Sequence, residues 1–121
     1  MQLTEHKINE CNEAITIEAD EPDPKNGNAS HVYDVTWTER HRPVHVGIPF
    51  QHGPIKEVGT NGLTHEVLLA ILAHRLRGFQ SGPYACEENA DALAHIEAAQ
   101  ARLHDRTRAR VQRGVEGTHQ V

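Results

Sequence analysis

The sequence predicts an α+β fold: an N-terminal antiparallel β-meander followed by a C-terminal two-helix antiparallel hairpin, assembled as an oligomer. Three observations predict it. Apolar and polar residues alternate with period two in three segments of the first half. Leucines recur at helical spacing through the second half. The 121 residues are only 37% hydrophobic and 4% aromatic, a thin supply for one core, and such chains often complete their cores by association. The whole chain, 1–121, reads as a single domain with a β-rich part and loop over 1–60 and a helical hairpin with a tail over 61–121.

The first strand is expected where Ile15, Ile17 and Ala19 alternate with Thr16 and Glu18. DEPDPKNGNAS follows, dense in turn formers, and reads as a loop. Tyr33, Val35 and Trp37 alternate with Asp34, Thr36 and Thr38 to give a second strand. TERHRP reads as a turn, and Val44, Val46, Ile48 and Phe50 mark a third strand, with Pro49 at its end. Short connections between the three favour a meander. QHGPIKEVGTNG, with three glycines and a proline, reads as a structured loop.

The first helix is expected to start at Thr64, whose hydroxyl can cap it, with Glu66 in the first turn and Leu68, Leu69, Leu72 and Leu76 on one side. Gly78 and Gly82 interrupt the pattern. Ser81 is the expected cap of a second helix, with Pro83 in its first turn and Leu93, Ile96, Gln100 and Leu103 as a narrow seam. That helix is expected to end near Arg113 at Gly114, with VEGTHQV as an extension beyond it. A second helix about twice as long as the first leaves its far end without a partner from its own chain, which predicts a dimer surface.

Charge narrows the partners. The formal net charge is −5, with a pI near 6.0, which argues against general DNA or RNA binding. The start MQLTEHKINE is too polar for a signal peptide, and no apolar run approaches spanning length, so no membrane association is expected. Two distant cysteines without a CxxC spacing fit a reduced cytosolic setting.

Four constellations could carry chemistry. Arg102, Arg106 and Arg110 recur every four residues and share a helix face, with Arg113 beside them. Guanidinium forks suit phosphate oxygens, but the same row also fits a solvated basic face at a helix C-terminus. In FQSGPYACEEN, Phe79 or Tyr84 could stack on a base and Asn89 could read a base edge or ribose hydroxyl; both rings could equally plug the end of the hairpin. Lys56 and its neighbouring glycines could line a phosphate, although no P-loop pattern is present. The ten histidines form no H-E-x-x-H and no tight set with acidic residues, so they read as scattered surface groups and no metal is expected. No nucleophile–base arrangement stands out, and Cys86 reads as buried and structural. No catalytic residue and no cofactor are expected.

The run from GPIKEVGTNGLTHEVLLAILAHRLRGFQSGPYACEEN through the downstream arginines resembles the hairpin domain of the phage Thoeris anti-defence and anti-CBASS family of cyclic-nucleotide signal sponges. INECNEAITIEA with the loop and HVYDV resembles the β-rich part of the Thoeris type. The resemblance implies a non-catalytic protein of the host bacterial cytoplasm that captures a cyclic ADP-ribose isomer or related cyclic nucleotide as a homodimer or hexamer. Some members also hold cyclic di- or trinucleotides at a separate site. It implies Phe79 as the base-stacking aromatic, Asn89 as a polar reader, and Arg106 with Arg110 as the phosphate pair; Arg102 and Lys56 are further candidates. Two other readings differ in class. One is a hydrolase, which needs a metal or acid/base pair; the other is a phage structural or regulatory protein that binds a host protein through the long helix.

Overall fold

A computed structural model describes residues 1–121 and divides them into two compact units, Met1–Leu63 and Thr64–Val121. The first is a four-stranded antiparallel sheet in the order β1 (Gln2–Leu3), β2 (Thr16–Ala19), β3 (Val32–Glu39), β4 (Arg42–Pro49). The meander is as expected. The short edge strand β1 is an addition that two residues of sequence could not announce. It pairs Leu3 with Ile17, and Met1 donates its terminal ammonium to the carbonyl of Ala19.

Alternation sets the two faces. Ile17, Val35 and Val46 stand in one cross-strand row, and Ala19, Tyr33 and Ile48 in the next. Thr16, Thr36 and His45 line the opposite face. Tyr33, Val35 and Trp37 are only half-buried. The β3–β4 hairpin is tighter than TERHRP suggests. Glu39 pairs with Arg42, so Arg40 and His41 alone make the turn, with φ of 50° and 65°. The right-handed twist of the strands demands this left-handed backbone, and neither residue is a glycine or asparagine that adopts it cheaply.

Short helices fill the connections. α1 (Glu10–Glu13) is capped by the Asn9 side chain, and a 3₁₀ turn over Pro24–Asn26 is capped by Asp23. α2 (Ile55–Val58) lies within the loop that the sequence marked as structured. That loop closes where Phe50 and Leu63 form a parallel bridge. A Cβ on Gly62 would lie 2.4 Å from the Phe50 carbonyl carbon, so only glycine fits there.

The second unit is a helical hairpin, α3 (His65–Gln80) and α4 (Glu87–Arg113). Thr64 caps α3 as expected, accepting from the Val67 amide. The cap of α4 is a correction: it is Cys86, whose Sγ accepts from the Asn89 amide, while Ser81 ends α3 and Pro83 lies in the turn. The Gln80 side chain donates to the Cys86 carbonyl and accepts from the Cys86 amide, which extends the turn and delays the helix start. Cys86 is also exposed rather than buried, because a cap side chain faces the helix end. Gly114, with φ of 71°, ends α4 as expected. Among the less exposed positions of α4, Asn89, Leu93, Ile96, Gln100, Leu103, Thr107 and Arg110 form an unbroken 4-3-4-3 seam, with Ala99 beside it. Ala73 is the single buried hydrophobic residue, and none of the helices is long and apolar enough to cross a membrane.

Candidate functional site

The hairpin places the expected ligand residues at two separate stations. At the turn, Phe79 in the last turn of α3 packs edge-on against Tyr84, with ring centroids 6.0 Å apart. The Arg75 guanidinium lies 5.0 Å from the Phe79 centroid. Tyr84 is 71% exposed, so this aromatic pair does not plug a core. Asn89 reaches the Tyr84 carbonyl from the first turn of α4 at 3.5 Å. The turn therefore presents a half-buried ring, an exposed ring, a guanidinium and an amide together.

The arginines form the second station. Asn89 and Arg106 are about 25 Å apart along α4, given a rise of 1.5 Å per residue. Arg102 is engaged by Asp105 at 3.0 Å, and Arg108 binds the same carboxylate at 2.6 Å. The Arg108 hydrogen bond, with the charges of both arginines, holds the Asp105 carboxyl below its ordinary value. Arg106 is exposed and carries no ion pair.

Arg110 differs from the other arginines. It is 7% exposed, and the tail folds back onto it, where a free extension was expected. Its Nε donates to Glu116 at 3.0 Å, Nη2 to the carbonyls of Val115 and Thr118, and Nη1 to the carbonyl of Gln120. Arg113 donates to the Val121 carbonyl. Lys56 is exposed on α2, in the first unit.

Another cluster was not legible in the sequence. Asp23, His31 and His52 bring one carboxylate oxygen and two ring nitrogens within 4.8 Å of one another. The imidazoles of His31 and His52 stack at 4.2 Å with planes 10° apart. Nε2 of His52 lies 2.8 Å from Asp23 Oδ2. Hydrogen bonds from Asn26, His52 and the Lys25 amide hold the Asp23 carboxyl down to about 2. Asp23 and His52, 29 positions apart, are brought together by sheet pairing, which no local spacing rule reports.

An antiparallel meander followed by a helical hairpin, with an aromatic–amide turn and an arginine-rich end, defines a hairpin-domain protein. Residues 42–108 match the family described as Acb2/Tad1, hairpin domain, and the chain belongs to that family. The match covers Lys56, Phe79, Asn89, Arg102 and Arg106 and stops two residues before Arg110. The chain is also 47% identical over 73 residues to "Thoeris anti-defense 1" of Bacillus phage SBSphiJ7. That alignment takes in 60% of this chain and 51% of the relative, so the chain spans about half the length of the curated relative it matches.

Proposed function

We propose that this protein is a phage anti-defence sponge, which binds a cyclic ADP-ribose-type signalling nucleotide in the infected bacterial cell and withholds it from the host effector without cleaving it. The observation that carries the reading is the 47% identity to a relative named for Thoeris anti-defence, in a chain whose hairpin offers base-stacking and phosphate-binding groups.

In this reading the adenine stacks on Phe79, Asn89 fixes its orientation, and Arg106 neutralises the phosphates, with Arg102 as a lesser contributor. Arg110 joins Arg106 by exchanging tail carbonyls for phosphate oxygens. The two stations lie about 25 Å apart on one helix, farther than a small nucleotide reaches. The site therefore needs a second chain, with its α4 running antiparallel so that one protomer's Arg106 approaches the other's Phe79. Enclosure between two chains also excludes water, which strengthens charged hydrogen bonds and slows release.

The test is the melting temperature of the purified chain with cyclic ADP-ribose isomers, cyclic dinucleotides and cyclic trinucleotides. Ligand in thousandfold excess over Kd adds about 4 kcal/mol to apparent stability. A large shift is expected with a cyclic ADP-ribose isomer, with intact ligand recovered on denaturation. Arg106→Ala is expected to weaken binding by about tenfold or more, the loss of a charge-assisted hydrogen bond worth about 1.5–3 kcal/mol. No shift with any member of the panel, together with a host protein that co-purifies through α4, would instead favour the protein-binding role.

A further inference from the structure

We propose that Asp23, His31 and His52 form a binding site for a divalent first-row metal ion of the zinc type, with three protein ligands and one open coordination position. The donor set is two imidazoles and a carboxylate, the nitrogen–oxygen mixture that borderline ions such as zinc and cobalt favour. The donors already lie within 4.8 Å of one another, and their backbones are fixed independently. Asp23 exchanges hydrogen bonds with Ala29 and Asn28; the His31 amide donates to Asp20, and its carbonyl accepts from Phe50; His52 is bonded on both sides by Asn61.

Two features of the cluster point to a ligand. His31 is 9% exposed, and its Nε2 is shielded from solvent with no hydrogen-bond partner, a rare condition for a buried polar group. Nε2 of His52 lies 2.8 Å from the Asp23 carboxylate and 3.2 Å from the Asn26 amide nitrogen. A protonated Nε2 satisfies the carboxylate and meets the amide donor head-on. A deprotonated Nε2 accepts from Asn26 and faces the carboxylate lone pair to lone pair. An ion between Asp23 and His52 removes the conflict: it replaces the proton, and Asn26 keeps its 2.8 Å hydrogen bond to Asp23 as an outer support.

Parallel rings cannot both direct a lone pair at one ion about 2.0–2.2 Å away. Binding therefore turns one ring out of the stack. His52, 50% exposed on its side chain, is free to turn, whereas His31 is enclosed. The ion then ties the β2–β3 loop, the entry to β3 and the segment after β4 to one point. Asp23 and His31 lie outside the span that matches the hairpin family, so the site is a property of this chain's N-terminal unit.

The experiment uses the full chain after chelator treatment and dialysis, titrated with Co²⁺ and with Zn²⁺. One Co²⁺ per chain with visible ligand-field absorption is expected, displaced by Zn²⁺, with a rise in melting temperature on Zn²⁺ addition. His52→Ala and Asp23→Asn each abolish the absorption, Asn26→Ala weakens binding by about tenfold, and His104→Ala, on α4, leaves it unchanged. In the unsubstituted protein, Co²⁺ shifts the NMR signals of His31 and His52 before those of the other histidines. No absorption in the unsubstituted protein, binding that survives His52→Ala combined with Asp23→Asn, or shifts that begin at other histidines would overturn the proposal.

Discussion

Arg110 gives its guanidinium to its own tail. It is the last residue of the 4-3-4-3 seam on α4, and a charge at such a position needs partners. The carboxylate of Glu116 and three main-chain carbonyls supply them. Arg110→Ala is expected to cost about 1–3 kcal/mol, because those carbonyls lose their donor while Glu116 can still reach water. Hydrogen exchange reads the result directly: the Val115 and Thr118 amides, which donate to the Arg110 and Val115 carbonyls, are expected to exchange faster, and the melting temperature to fall. Unchanged tail protection in the variant would mean that the turn after Gly114 holds the tail unaided. The fourfold arginine spacing was legible in the sequence, but this difference in roles was not. Equal spacing reports a shared face, whereas partners recruited from seven residues of tail depend on a chain reversal that the glycine permits and does not specify.

At the scale of elements, the hairpin shows where local chemistry decides and where it is overruled. Thr64 begins α3 because its hydroxyl satisfies the Val67 amide, and Gly114 ends α4 because it adopts a left-handed backbone. Both were readable from the sequence. Ser81 is as good a cap by type, yet the helix starts five residues later, where Gln80 accepts from the Cys86 amide and donates to the Cys86 carbonyl and leaves a thiol as cap. A side chain that reaches across six residues has no signature in periodicity. Sulfur is a weak acceptor, so Cys86→Ser is expected to stabilise the hairpin by several tenths of a kcal/mol to about 1 kcal/mol, and Cys86→Ala to destabilise it slightly. Denaturant midpoints would show both, and a loss on Cys86→Ser would mean that the thiol packs as well as caps. The β3–β4 turn was hidden for a related reason. Arg40 and His41 are poor left-handed residues, and the pairing of eight-residue strands imposes that conformation on them.

At the scale of the molecule, the chain exposes more surface than its mass accounts for. Its accessible area is 9134 Å², whereas two separate folded units of half its mass would expose about 7,900 Å² together. The excess therefore does not depend on how the two units are placed. Its chemistry is visible on α3, where Val67, Ile71 and Leu72 are 42%, 57% and 48% exposed. The thin core was legible from composition alone; which face carries the deficit needed the helices in place. The proposed nucleotide site has the same requirement, since Phe79 and Asn89 can meet Arg106 only across two chains. These two independent arguments converge on self-association, and light scattering coupled to size exclusion is expected to show a dimer or a larger even-numbered assembly. Ile71→Asp puts an uncompensated charge into the exposed apolar stripe and should shift the population towards monomer, while circular dichroism of the hairpin is retained. If the stripe and the site share one interface, the same variant loses the nucleotide-induced thermal shift with every residue of the site unchanged. A monomer at all concentrations that still binds nucleotide tightly would mean that one protomer's stations suffice, and the 25 Å between Asn89 and Arg106 would then require the ligand to sit at one end of the hairpin alone.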